Sequence, residues 1–346
     1  MVGKNMFKRK SSSSMILNPF KGQAPDELPF EIRFDPLTGE TGRIFFLPFR
    51  AEKPNIEETL RRSQEMFCPF CSKALEKSTP VFPEPIIPGG RIRVGEASLF
   101  PNMLPFDQYA AVTVFSDKHF IPMEGLTPAS MRDAFVASLR FLKRIQEFDS
   151  QVNFFTISWN YMPPSGSSIV HPHLQPSAGA FPANHLRLQL EGAEKYSREH
   201  HADFWMDFVK EEKRNGERTI GEIGSTFWVM SFVPFGFLPD VSCIFTNRDS
   251  LSELSDEDLS PFLEGLARIL RYFLEQDVYS FNMALFAVRE AESFRVNARI
   301  CPRLLPRPIG NSDIACPQML QREPFSICSP ESVCEAVRKV FHKTTP

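Results

Sequence analysis

The order of elements repeats along this chain, and that repetition constrains the fold more than any single motif. From Leu99 the chain passes through a Pro-Phe loop into a strand-like run, Tyr109 to Phe115. A short polar link and a long helix ending near Phe148 follow. From Val229 the same order returns, with Val241 to Thr246 as the strand and Ser255 to Gln276 as the helix. Two copies of one supersecondary unit imply a duplicated fold. In the first helix Thr127 suits the N-cap and Pro128 the first turn, while Met131, Phe135, Leu139, Leu142 and Ile145 recur at helical spacing and mark a core face. Arg91 to Phe100, Val152 to Trp159, Ile169 to Gln175, Asn282 to Val288 and Arg295 to Cys301 read as further strands. At 346 residues, one large unit or two similar ones are expected.

The densest chemistry lies in His171-Pro172-His173-Leu174-Gln175. In an extended strand successive side chains alternate faces, so His171, His173 and Gln175 share one face. Imidazole can ligate a metal, carry a proton or attack an electrophile. Taken alone, the stretch is equally consistent with two structural histidines. Cys68-Pro69-Phe70-Cys71 adds two thiols in a turn, half of a tetrahedral zinc site. A thioredoxin-like redox pair is the competing use, but that motif wants a βαβ setting, and here proline and phenylalanine cluster. With His119 just past a strand end, and with His171, the set becomes two thiolates and two imidazoles. Such a site is closed, hence structural. His173 is then left for chemistry, since a neutral imidazole suits attack on phosphorus. Gln175 can donate its amide to a phosphoryl oxygen as charge grows there. It cannot deliver a proton as a third histidine would.

Composition narrows the classes. A net charge of -3 gives no general attraction to polyphosphate backbones, which argues against a sequence-independent nucleic-acid binder. Seven cysteines, an odd number without secretory features, argue against a disulfide framework and for a reduced, cytoplasmic compartment. No apolar run approaches the length of a membrane span. The opening MVGKNMFKRKSSSSMILNPF lacks the apolar core of a signal peptide, and residues 1–25 are expected to form a disordered tail. Asp35-Pro36-Leu37-Thr38-Gly39 is expected to turn between strands Phe30 to Phe34 and Arg43 to Pro48. His185, His200 and His201 lie in a charged segment without ligand spacing.

With these residues assembled, the chain resembles the galactose-1-phosphate uridylyltransferase family, the nucleotidyltransferase branch of the histidine-triad superfamily. The likeness runs from Asp35 to about Leu320. It implies an α+β fold of tandem histidine-triad-like repeats, with antiparallel half-barrel sheets flanked by helices. The halves would be 26–180, holding zinc and the catalytic strand, and 181–346, lacking catalytic histidines. It further implies one structural Zn2+ on Cys68, Cys71, His119 and His171, a nucleotidylated His173, and Gln175 on the transferred phosphoryl group. Substrate contacts would fall on Arg50, on Lys53 where the family has a second arginine and bidentate geometry is lost, and on Phe100, Asn102, Asn160 and Ser168. The family's second metal site would need histidines where this chain has Asn297 and Arg299, so neither iron nor a second zinc is expected. The family's hexose-contacting Tyr-Glu-Met reads Pro317-Gln318-Met319 here. Gln318 stays a candidate contact, and galactose recognition is not implied. The implied partners are a nucleotide sugar with a sugar 1-phosphate, or with inorganic phosphate in a phosphorylase, and a second copy in a homodimer. Neither nucleic acid nor membrane is among them. A non-catalytic, zinc-stabilised nucleotide- or RNA-binding module is a third reading, resting on aromatic richness that core packing explains more simply.

Overall fold

The computed structural model describes residues 6–48, 51–52, 55–305 and 312–343. It opens on a long antiparallel hairpin, β1 (Arg9–Asn18) against β2 (Ala24–Phe34), in register from Arg9↔Arg33 to Asn18↔Ala24. Residues 9–25 of the expected disordered tail belong to this hairpin instead, and residues 1–5 lie outside the described residues. Nearly all of β1 is exposed, so no apolar pattern betrays it; the ladder is made by backbone groups that any residue carries. Phe7 anchors its base, with ring centroids 5.2 Å from Phe232 and 5.9 Å from Phe208, and the Arg218 guanidinium 4.2 Å away. Strand β3 (Thr41–Phe45) pairs with β2 across the expected turn. Asp35 caps that turn by accepting from the Leu37 and Thr38 amides, and Gly39 supplies the required positive φ.

Helices α1 (Ile56–Glu65) and α2 (Ser72–Ser78) flank the Cys-x-x-Cys turn. The single strand expected over Arg91 to Phe100 is a hairpin, β4 (Ile92–Val94) and β5 (Ala97–Pro101). Next come β6 (Tyr109–Val114), α3 (Pro128–Phe148), β7 (Phe154–Tyr161) and β8 (His173–Gly179). Thr127 and Ser130 close a capping box on α3. The charged segment forms two helices, α4 (Asn184–His200) and α5 (Phe204–Asn215). The second copy follows as β9 (Thr219–Ile223), β10 (Thr226–Met230), β11 (Val241–Phe245), α6 (Leu259–Glu275), β12 (Ser280–Val288) and β13 (Asn297–Arg303). Helix α7 (Cys316–Leu320), strand β14 (Phe325–Ser326) parallel to β3, and α8 (Pro330–Phe341) end the described chain.

Ten strands form one open antiparallel sheet in the order β4-β5-β6-β8-β7-β12-β13-β11-β10-β9. Read outward from the centre, each half has the same order, which is the duplication expected from the sequence. The halves meet where β7 pairs with β12, from Phe281↔Tyr161 to Val288↔Phe154. Alternation divides the faces. Phe155, Ile157, Trp159 and Leu174 point into the core with Phe281, Met283 and Leu285, beneath α3 and α6. Each large apolar side chain buried there contributes roughly 1.5–3 kcal/mol. The other face is covered in two places. Phe70 and Leu75 pack over β5 and β6, and Leu186, Phe204 and Trp205 over β10 and β11. Between these covers, β8, β7, β12 and β13 present half-buried polar side chains, among them Gln175, Ser158, Asn160, Asn282 and Arg303.

A buried ion network ties the hairpin to α5 and α8. Glu331 accepts from Arg33 at 2.8 and 2.9 Å and from Arg218 at 2.8 Å, while Arg33 also meets Glu31 and Arg218 meets Glu212. No helix among the described residues is long and apolar enough to cross a membrane.

Candidate active site and metal centre

Four donor side chains converge from three segments. Cys68 and Cys71 come from the turn before α2, His119 from the loop after β6, and His171 from the bend before β8. Their ligand atoms all lie within 4.8 Å of one another. The Nδ1 of His171 is 3.7 Å from Cys68 Sγ and 3.8 Å from Cys71 Sγ, and His119 Nδ1 is 3.3 Å from Cys71 Sγ. Zinc bond lengths of about 2.3 Å to sulfur and 2.0–2.1 Å to nitrogen give tetrahedral S···N edges of about 3.5 Å. The donor set therefore fits a tetrahedral metal ion.

The hydrogen bonds around the two imidazoles set their tautomers for that role. His171 Nε2 donates to the Ser116 carbonyl at 2.8 Å, leaving Nδ1 as a lone pair. His119 Nε2 lies 3.2 Å from Ser63 Oγ, whose own hydrogen goes to the Leu60 carbonyl, so the histidine donates and again keeps Nδ1 for a metal. These supports are what a metal-ligating imidazole needs to hold its orientation. Burial, with Cys68 close by, pushes the Cys71 thiol up to about 11, and a cation between the sulfurs would offset that cost.

Strand β8 begins at His173, four residues later than the strand drawn from the sequence, so His171 sits in the bend ahead of it. Divergence at that point separates the two imidazoles. His171 turns to the cysteines, while His173 stays on the sheet and donates Nδ1–H to the His171 carbonyl at 2.8 Å. Its Nε2 then carries a lone pair. Burial keeps this imidazole neutral. The Phe70 ring stands edge-on to both histidines, with centroids 5.2 Å from His173 and 6.2 Å from His171.

The other candidate residues divide. Ser158 pairs with Gln175 across β7 and β8, and the same register carried two residues on sets Asn160 beside His173. Gln175, Asn160 and His173 thus share one face. Among the described residues no protein group bonds the Gln175 amide. Ser168 is exposed in the loop before β8, and Asn102 follows β5 with its Oδ1 accepting from the Leu104 amide. Phe100 does not fit the contact expected of it: at 1% exposure it lies under Phe70, centroids 5.6 Å apart, and supports the metal turn from below. Gln318 spends both amide atoms on its own segment, accepting from the Ala315 amide at 2.7 Å and donating to the Asp313 carbonyl at 3.3 Å. Arg50 and Lys53 lie outside the described residues.

Sequence reasoning missed Ser63, the Ser116 carbonyl and Phe70 as supports, and Asn282 as the partner of Asn160. Only Phe70 had a visible signal, its place inside the Cys-x-x-Cys turn. In the second half, Asn297 exchanges hydrogen bonds with Gln189, and Arg299 pairs with Asp240.

This fold is shared with GalT-like proteins and uridylyltransferases of known structure. A GalT-like protein from Arabidopsis thaliana superposes with a TM-score of 0.67 at 18% identity, over 91% of this chain and 99% of that one. An ADP-glucose phosphorylase from the same plant gives 0.68 at 18%, over 92% and 100%. A uridylyltransferase gives 0.64 at 20%, over 91% and 99%. In sequence, the chain belongs to one family with an uncharacterized protein of Archaeoglobus fulgidus, 32% identical over 321 residues, 92% of this chain and 95% of that one. No family model matches it.

Proposed function

We propose that the chain is a nucleotidyltransferase working by double displacement through His173. The observation that carries the reading is the division of the two imidazoles: His171 is turned into a closed donor set, while His173 keeps an Nε2 lone pair on the open face. Nε2 attacks the α-phosphorus of a nucleoside diphosphate sugar. The N–P bond forms as the bond from the α-phosphorus to the bridging oxygen breaks, and sugar 1-phosphate leaves with that electron pair. An acceptor phosphate oxygen then attacks the same phosphorus and frees His173. Gln175 and Asn160 offer amide hydrogens to the phosphoryl oxygens as charge gathers on them. A zinc ion held by Cys68, Cys71, His119 and His171 would supply a rigid cross-link and no open coordination position.

Two acceptors are weighed. A sugar 1-phosphate makes the enzyme a hexose-1-phosphate nucleotidyltransferase; inorganic phosphate makes it a phosphorylase. The internally bonded Gln318 favours phosphate, because its amide is already committed where the family contacts the hexose. Incubation with labelled UDP-glucose or ADP-glucose is expected to leave acid-labile, base-stable label on His173. Chase with phosphate or galactose 1-phosphate then distinguishes the acceptors. A chain that takes up no label from any nucleotide sugar overturns the proposal. A His173→Ala variant that keeps metal and fold but loses all turnover excludes a purely binding role.

A further inference from the structure

The half of the chain that lacks the catalytic-strand histidines reaches into the site through a row of amides. Asn282 of β12 pairs with Asn160 of β7, and their side chains lie on the same open face. The two hydrogens of Asn282 Nδ2 are both spent on the first half, one on Asn160 Oδ1 at 2.6 Å and one on the Ser165 carbonyl at 2.9 Å. Its Oδ1 accepts from Arg303 Nη1 at 2.6 Å. Arg303 is fixed in turn by Asp313, which takes Nε at 2.9 and 3.0 Å and Nη2 at 2.7 Å, and which also accepts the Leu304 amide. Asp313 is 4% exposed, so solvent competes little for this chain of bonds.

An amide has a donor end and an acceptor end, and each link in the row fixes the next. Arg303 can only donate, so it holds Asn282 with its oxygen outward and its NH2 toward β7. That NH2 takes the oxygen of Asn160. The NH2 of Asn160 is left as the end available to a phosphoryl oxygen beside His173. The same Asn282 NH2 grips the loop at Ser165, which follows Met162, a buried residue at φ 68° and ψ 158°. A non-glycine residue persists in such a conformation only where its surroundings hold it.

We propose that Arg303 is a positioning residue, acting through Asn282 to aim the donor end of Asn160 at the transferred phosphoryl group and to hold the Pro163–Ser168 loop. The inference rests on the nucleotidyl-transfer reading for its rate effects but not for its loop effect. Asn282→Asp is the sharpest test, because it keeps the shape while presenting an oxygen to Asn160, whose amide must then turn its NH2 inward. The rate of His173 labelling in a single turnover is expected to fall on the order of a hundredfold, the cost of losing one such donor. KM for the nucleotide sugar and the metal content stay unchanged. Combined with Asn160→Ala, the substitution is expected to add no further loss; multiplied effects, or labelling at the parent rate, overturn the relay. Arg303→Met and Asn282→Asp are both expected to speed hydrogen exchange across residues 161–169 in the full-length protein, and unchanged exchange overturns the hold on the loop. If the parent protein takes up no label, the transfer reading fails, and the exchange measurement still decides whether Arg303 governs the loop.

Discussion

Replacing Gln175 with alanine isolates the contribution of one amide to phosphoryl transfer. Two residues along β8 set its Cα about 6.7 Å from that of His173 on the same face. Losing a donor aimed at developing negative charge costs 10²–10³ in rate, or about 2.7–4 kcal/mol. The lower figure applies here, because Gln175 is half-buried and within reach of water, and because Asn160 offers a second amide from the neighbouring strand. A fall of about a hundredfold in His173 labelling is therefore expected, measured by rapid quench with a labelled nucleotide sugar. Stability should change by no more than about 0.5 kcal/mol, since no protein partner is orphaned. Labelling within about threefold of the parent rate would refute the assignment of Gln175 to the transferred group. A matching loss of fold would refute it too. Gln175→His supplies a proton carrier instead, and should raise the fraction of label lost to water.

Further outcomes follow from the packing. Glu331→Ala leaves two buried guanidiniums short of a carboxylate, and should cost about 3 kcal/mol in urea unfolding, the low end for a broken buried pair because Glu31 and Glu212 remain. Burial raises the Glu331 carboxyl, but Arg33 and Arg218 outweigh it and hold it below its usual 4.5. Its stabilising share is therefore present above that pH and lost as pH falls through the folded value, an acid limb that Glu331→Gln should flatten. Glu212 runs the other way. Burial pushes it up to about 7 against the pull of Arg218, so the folded state holds its proton more tightly and stability from this group should decline between about pH 4.5 and 7. Glu212→Gln should remove that slope in unfolding scans. Stripping metal with a chelator should release the turn at Cys68 to Cys71, seen as faster hydrogen exchange there and across the bend at His171, and re-addition of zinc should reverse both.

The repeat was legible in the sequence because the same order, a Pro-Phe loop, a strand, a short polar link and a long helix, occurs twice, and α3 writes its core face at helical spacing. The donor set was legible because ligand chemistry tolerates few residue types at such spacing. The hairpin at residues 9–34 was not, since β1 has little buried side chain to mark it and its serines carry no preference that outweighs disorder. The start of β8 was misplaced for a related reason: Ile169 and Val170 read as strand, but Ser116 and the cysteines draw His171 off the sheet. The row from Asp313 to Asn160 was beyond reach, because it depends on the pairing of β7 with β12, residues about 120 positions apart.

That central pairing makes the halves mutual guardians against aggregation. Removing the second half would strip β12 from an eight-residue ladder and turn β7 from an interior strand into a bare edge, with Asn160 facing open water and an apolar core face beneath. Long exposed edges of this kind recruit other chains. A single repeat with this sheet would need a second copy of itself to cover that edge, and in this chain the second copy is carried on the same polypeptide.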